Sequence, residues 1–156
     1  MIKVSDVAYV RFGAPDLDRM ETFLQDFGLT VSAREEERLF ARGTDPEPWI
    51  HVTERGEPGF RGVAFDAATA DDLARAAKLE GASPVEKIDA PGGGQRVRFR
   101  DPDGFEVEVV HGRERMAPLP FEGAAPLNRG SDRRRLGTLQ RVPTGPARVK
   151  RLGHVV

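Results

Sequence analysis

Glu106 and Glu108 are two carboxylates at alternate positions that could take part in chemistry. They follow the turn-forming segment Asp101-Pro-Asp-Gly104, in which proline presets one backbone dihedral and glycine accepts a positive one. In the strand predicted after the turn, side chains alternate between faces, so the carboxylates share one face while Val107 and Val109 share the other. Such carboxylates can ligate a cation or accept hydrogen bonds. The same alternation is also typical of a half-buried strand with a solvated acidic face.

The N-terminal part of the chain predicts the elements that precede this strand. Residues 4–12 are rich in β-forming side chains and end at Gly13-Ala-Pro15. Asp16 is the expected N-cap of an amphipathic helix, and Gly28 is its expected C-terminal cap. Shorter strands are predicted at 29–34, 38–42 and 49–54.

The same order of elements then recurs. Shifting the sequence on itself by about 53 residues pairs Val10 with Val63 and Gly28 with Gly81. The second unit has a strand at 61–66, a helix at 70–80 and strands at 85–88, 95–100 and 105–110. We therefore predict an α+β fold in which tandem βαβββ modules pack into one domain, residues 1–112.

Composition excludes several classes of protein. A chain of 156 residues suits one domain with a tail, and no apolar run approaches the roughly 20 residues of a membrane span. Cysteine is absent and no secretory leader is evident, so a disulfide framework is not expected and the cytoplasm is the expected compartment.

The tail differs in charge from the rest of the chain. Residues 113–156 hold ten basic and three acidic residues, which leaves 14 basic and 22 acidic residues in 1–112. The run Arg133-Arg134-Arg135 could indicate nucleic-acid binding, but no aromatic residues interleave with it. We interpret 113–150 as a solvated linker rich in proline and arginine, and expect neither a nucleic-acid nor a membrane partner.

The order of these motifs resembles the vicinal oxygen chelate superfamily, which includes glyoxalase I, bleomycin-resistance proteins and type I extradiol dioxygenases. The resemblance is carried by the segment VAYVRFGAPDLDRMETFLQDFGL and by DPDGFEVEVV, and it covers residues 4–112. It implies a curved, cup-shaped mixed sheet with metal ligands on the first, fourth, fifth and eighth strands. Carried over, those positions are Tyr9, His51, Gly62 and Glu108.

These four positions depart from a metal-binding pattern. Gly62 has no donor atom, and the neutral phenol of Tyr9 is a poor ligand. His51 and Glu108 remain, which are fewer than the three or four protein ligands that a metal centre generally needs. We therefore expect no metal and no catalytic residue in 1–112, and expect His51 to be a strand histidine hydrogen-bonded beside Glu108.

The end of the tail carries a second resemblance to extradiol dioxygenases. Residues 151–156 are similar to the start of the first strand, and Leu152-Gly-His154-Val-Val156 resembles the segment that opens the catalytic module of those enzymes. The resemblance implies that His154 is the first ligand of Fe(II) or Mn(II) in a following module. The repeat offsets place the other two ligands in that module, a histidine roughly at position 207 and a glutamate roughly at position 253.

The leading hypothesis is thus the N-terminal, non-metal-binding module of an extradiol dioxygenase that cleaves a catechol-like aromatic ring with dioxygen. We expect this chain to be inactive by itself and the enzyme to be a homo-oligomer. One alternative is a free-standing binding module of the bleomycin-resistance type, with Tyr9, Arg11 and Trp49 lining the cup. Another is a metal-dependent lyase or isomerase that uses His51 and Glu108 with ligands from a partner chain.

Overall fold

The structure is a computed structural model that describes residues 1–120 and 145–155. Within those ranges the chain forms two βαβββ units, as the repeat predicts, and the fold is α+β. The first unit comprises β1 (Val4–Ala14), α1 (Leu17–Phe27), β2 (Thr30–Arg34), β3 (Arg38–Arg42) and β4 (His51–Arg55). The second comprises β5 (Gly59–Ala67), α2 (Ala70–Ala76), β6 (Glu86–Lys87), β7 (Gln95–Arg100) and β8 (Glu106–His111).

The strands of the described ranges form one curved, eight-stranded mixed sheet in the order β2-β3-β4-β1-β5-β8-β7-β6. The two units meet along the antiparallel pair β1 and β5. Each unit also contains one parallel pair, β1 with β4 and β5 with β8. The last strand of each unit therefore lies directly beside its first strand, which brings β1, β5 and β8 side by side at the centre.

Helix α1 has the predicted caps. The Asp16 side chain accepts hydrogen bonds from the N–H groups of Asp18 and Arg19, and Gly28 ends the helix in the left-handed conformation at φ 106°. Leu17 and Leu24 on the inner side of the helix pack against residues of β3 such as Leu39. Burial of this apolar stripe holds α1 against the first half of the sheet.

Helix α2 is shorter than the sequence predicts, because it ends at Ala76 where we expected it to continue to residue 80. The N–H groups of Lys78 and Leu79 donate to carbonyls three residues earlier, so the chain tightens into turns after Ala76. Leu73 and Ala76 pack against Val97 and neighbouring residues of the second half of the sheet.

The register of the strands places both helices on one face of the sheet, which we call the helix face. The opposite, concave face, here called the cup face, carries its own buried cluster of Ala8, Tyr9, Phe40, Trp49, Val52, Ala64, Ile88 and Val110. Among the described residues no helix is long and apolar enough to cross a membrane.

Candidate functional site

The cup face is built around one fully buried carboxylate. Glu108 of β8 has no exposed side-chain surface, although half-buried strands commonly carry such residues on a solvated face. The Tyr9 hydroxyl donates to Glu108 Oε2, and Arg11 Nη1 donates to Glu108 Oε1 at 2.7 Å. Arg96 Nη1 donates to the same oxygen at 3.3 Å. The acidic face of β8 is thus an interior ion cluster, and the expectation of a solvated face is wrong at this residue.

Register explains why these side chains meet. Tyr9 lies opposite Ala64, and Ala64 lies opposite Glu108, so the small side chain of Ala64 lets the phenol reach the carboxylate across β5. Arg98 lies opposite Glu108 on the other side, which brings the arginines of β7 alongside. The cluster therefore depends on strand pairing between residues that are about 100 positions apart in sequence.

Arg11 is the centre of the cluster, because its guanidinium contacts three carboxylates. Nη2 donates to Glu54 at 2.8 Å, while Nη1 donates to Glu108 and Glu106. Burial by itself would lower the pKa of Arg11, but the negative charges of Glu108 and Glu54 raise it overall, so the guanidinium stays charged. One cation is thus shared among three carboxylates, whose oxygens accept its hydrogen bonds.

A second ring of charges surrounds this centre. Arg98 Nη2 lies 2.8 Å from Glu86 Oε1, and Arg96 Nε lies 3.7 Å from Glu86 Oε2. Arg98 also reaches Glu106 at 3.9 Å. The Arg98 guanidinium holds the pKa of Glu86 below its usual value. We call the whole set the cup cluster: Tyr9, Arg11, Glu54, Glu86, Arg96, Arg98, Glu106 and Glu108.

Aromatic side chains close the cup beside the cluster. The rings of Tyr9 and Trp49 lie 4.1 Å apart, and Trp49 packs edge-on against Phe40 at 5.2 Å. Trp49 is 2% exposed, and its Nε1 donates to the carbonyl of Pro91 at 2.9 Å. The Arg113 guanidinium lies over both Tyr9 and Trp49 at 5.2 and 5.4 Å. The predicted ligand-binding residues Tyr9, Arg11 and Trp49 are thus brought together, but mainly in contact with other side chains of this chain.

Burial also fixes the protonation state of Tyr9. Its pKa is raised well above the ordinary value, first by burial and then by the charge and hydrogen bond of Glu108. The phenol therefore remains neutral and donates a hydrogen bond to the carboxylate. A neutral phenol is a much weaker metal ligand than a phenolate, and its hydroxyl is already engaged by Glu108.

His51 lies on the helix face, away from Glu108. Its ring stacks on Phe12 at 5.2 Å with planes 6° apart, and its Nδ1 lies 3.5 Å from Thr53 Oγ1. Phe12 follows Arg11 in β1, so their side chains point to opposite faces. Burial lowers the pKa of His51 to about 4, which keeps the imidazole neutral. The structure therefore does not place His51 beside Glu108.

Gly62 shares the cup face with Tyr9 and Glu108, and the backbone of β8 passes close to it. A Cβ at this position would lie 2.1 Å from the carbonyl oxygen of Glu106. A side chain that carried a donor atom would therefore displace β8 as well as enter the cup. Gly62 is a packing requirement of the central strands.

The side chains of the cup face do not fit a metal ion. Glu108 is held by two guanidinium groups and a phenol. Gly62 has no donor atom, and a side chain at this position would clash with the backbone of β8. His51 lies on the helix face. In residues 1–120 and 145–155 no group of three or more acidic, histidine or cysteine side chains is placed to share an ion. The remaining candidate ligand, His154, lies exposed near the end of the described tail, and Val156 falls outside the described residues.

Sequence reasoning did not single out four members of the cup cluster, Glu54, Glu86, Arg96 and Arg98. A usable signal was present in β7, where arginines occupy positions 96, 98 and 100 and apolar residues occupy 97 and 99. A strand with a purely cationic face needs acidic neighbours if that face is buried. The acidic neighbour of β7 is β8, which carries carboxylates at alternate positions.

The sequence model of the Glyoxalase/Bleomycin resistance protein/Dioxygenase superfamily matches residues 6–109 of this chain. The chain belongs to this superfamily. The resemblance predicted from the sequence is thereby confirmed, and the eight-stranded curved sheet is consistent with the superfamily fold.

Individual relatives come from two enzyme types within the superfamily. The metapyrocatechase of Geobacillus stearothermophilus is 28% identical over 158 residues, which cover 97% of this chain and 46% of that protein. The Mn(II)-bound glyoxalase of Novosphingobium aromaticivorans superposes with a TM-score of 0.71 at 22% identity, over 78% of this chain and 44% of the other. For homoprotocatechuate 2,3-dioxygenase of Brevibacterium fuscum, in complex with 3,4-dihydroxyphenylacetate, the TM-score is 0.67 at 23% identity, with coverage of 76% and 40%. At these identities the solved structures show a shared fold, and this chain spans less than half the length of each relative.

Proposed function

We propose that this chain is the N-terminal module of an extradiol ring-cleavage dioxygenase. The observation that carries the proposal is the alignment with metapyrocatechase, which takes in 97% of this chain and 46% of that protein. Such coverage includes most of the tail beyond residue 112 as well as the paired modules. A shared tail is expected of a chain with the same two-part organisation, and is not expected of a single-module binding protein.

Within this proposal the first module serves structure and assembly. Its cup face is occupied by its own charges, since Arg11 is already paired with Glu54, Glu106 and Glu108. The chemistry is assigned to a following module, for which His154 is the first candidate ligand of Fe(II) or Mn(II). When bound, such an ion supplies adjacent positions for the two oxygens of a catecholate and for dioxygen.

The alternative of a small-ligand binding cup has less support. A ligand would have to separate Trp49 from Tyr9 and Arg113, and Trp49 is already 2% exposed. Arg11 would have to release one of its carboxylates to contact a ligand. Loss of small-aromatic binding on Trp49→Ala would favour this alternative, and the first proposal predicts that no such binding is found in the unmodified chain.

Dioxygen consumption tests the proposed function directly. The encoding DNA is read beyond the codon for Val156, and the product of any continuing frame is supplied with Fe(II) and a catechol in an oxygen electrode. We expect dioxygen uptake by that product, loss of uptake in His154→Ala, and no uptake by the 156-residue chain. A stop codon directly after Val156, or ring cleavage by the 156-residue chain, would refute the proposal. A cytoplasmic location and a homo-oligomeric enzyme remain predictions.

A further inference from the structure

The C-terminal tail returns to the first module and binds it through its backbone. Val149 N–H donates to the carbonyl of Gly28 at 3.3 Å. In turn, the N–H groups of Thr44 and Asp45 donate to the carbonyls of Val149 and Lys150 at 2.9 and 3.2 Å. We call residues 147–152 the strap. The stretch predicted as a solvated linker therefore has, at this end, an ordered contact with the sheet domain.

Two glycines of the first module allow the strap to approach closely. A Cβ on Gly28 would lie 1.7 Å from the carbonyl oxygen of Ala147, and a Cβ on Gly43 would lie 2.0 Å from that of Lys150. The three nearest atoms at Gly43 all belong to the strap. The backbone of Gly28 also has a positive φ as the cap of α1, whereas Gly43 does not. At Gly43, therefore, the strap is the contact that calls for the absence of a side chain.

Side chains reinforce the backbone contacts. Val149 and Leu152 pack against the apolar cluster beneath α1, which includes Leu24 and Ile50. Arg151 Nη1 lies 2.9 Å from Asp6 Oδ2 at the start of β1. The strap is thus fixed at α1, at the loop between β3 and β4, and at β1, which are separate elements of the first unit.

The loop that receives the strap is itself clamped from the other side. Arg42 is 3% exposed, and its Nη2 donates to the carbonyls of Asp45 and Ala117 at 2.9 and 3.0 Å. Leu119 N–H donates to the carbonyl of Thr44 at 2.9 Å. The N–H and the carbonyl of Thr44 therefore bind the returning and the departing chain respectively. Leu119 and Val149 are thus both hydrogen-bonded to Thr44.

We propose that the strap is a positioning element, which holds the chain from Gly153 onward, and with it His154, at a set place against the first unit. The docking stands on the contacts above. Its consequence for the first ligand of a following module rests on the proposed function. In that context the loop at residues 43–45 would act on the metal site through the strap without contacting the ion or the substrate.

Amide hydrogen exchange of the 156-residue chain tests the docking without any activity measurement. The amides of Thr44 and Asp45 lie in the first unit, but their acceptors lie in the strap, so their protection reports strap binding. We expect both amides to be protected in the unmodified chain. In Gly43→Ala we expect their exchange to accelerate roughly tenfold or more while the amides of β4 stay protected.

Matched variants separate release of the strap from general damage. Leu152→Ser removes the strap's apolar contact with the cluster beneath α1, and should accelerate the same two amides while the amides of β4 stay protected. Gly153→Ala has nothing within 4 Å of the new Cβ and should behave as the unmodified chain. Unprotected Thr44 and Asp45 amides in the unmodified chain, or full protection in both Gly43→Ala and Leu152→Ser, would overturn the proposal. Neither outcome depends on whether the longer product consumes dioxygen.

Discussion

Replacement of Arg11 by methionine removes the cation at the centre of the cup cluster while keeping an unbranched side chain of similar reach. Glu108 would retain Tyr9 and Arg96 as partners, but would lose its 2.7 Å contact with Arg11. Glu54 and Glu106 would lose the same guanidinium. The variant therefore leaves a fully buried carboxylate with incomplete compensation.

The expected cost follows from burial. Breaking a buried ion pair by removing one partner typically costs about 3–5 kcal/mol. Arg11 retains 15% of its side-chain exposure and Arg96 remains in place, so we expect a value near the lower end, about 3 kcal/mol. For a domain of this size that corresponds to a fall in melting temperature of about 10 °C.

Urea unfolding followed by fluorescence measures this cost, because the chain has a single tryptophan and Trp49 lies against the cup cluster. Arg115→Met is the matched control, since Arg115 is 71% exposed and pairs with Glu47 at the surface. This change should alter stability by less than about 0.5 kcal/mol. In a double-mutant cycle, Glu108→Gln should recover about 2 kcal/mol of the loss caused by Arg11→Met. A cost below about 1 kcal/mol for Arg11→Met, or strict additivity in the cycle, would refute the assigned role of the guanidinium.

Two further predictions concern the central strands. Gly62→Ala should lower the free energy of unfolding by about 2 kcal/mol or more, because its Cβ would meet the carbonyl of Glu106; a melting curve that matches that of Gly153→Ala would contradict this. His51 has a folded-state pKa of about 4, below its ordinary 6.5, so the folded state disfavours the charged imidazole and stability should fall by about 3 kcal/mol as pH drops from 6.5 to 4. His51→Gln should remove that part of the pH dependence, and equal slopes for the two proteins in urea titrations at several pH values would count against it.

The order of elements was predictable because both units repeat the same local signals. The N-cap at Asp16 and the left-handed cap at Gly28 follow from short-range chemistry that a sequence displays directly. The end of α2 was less accessible, since the alanine-rich pattern continues past Ala76 while the backbone has already tightened into turns. Propensity does not record where tertiary packing ends a helix.

The cup cluster was only partly predictable. Glu108 and Arg11 were recognised as candidates, but their pairing depends on register across β1, β5 and β8. The expectation that His51 lies beside Glu108 required these two residues to occupy equivalent positions, facing the cup, in the two units. Instead, its stacking on Phe12 places it on the helix face. Because side chains alternate along a strand, a shift of one residue moves a side chain from the cup face to the helix face.

The central claim is that guanidinium groups, rather than a metal ion, neutralise the carboxylate at the centre of this module. Metal analysis of the purified 156-residue chain after incubation with Fe(II) or Mn(II) tests it most directly, with His154→Ala as the control for the tail. We predict that neither ion is retained near one equivalent and that Glu108→Gln changes nothing in the amount bound. Retention of about one equivalent that is lost in both Glu108→Gln and His51→Gln would contradict the claim.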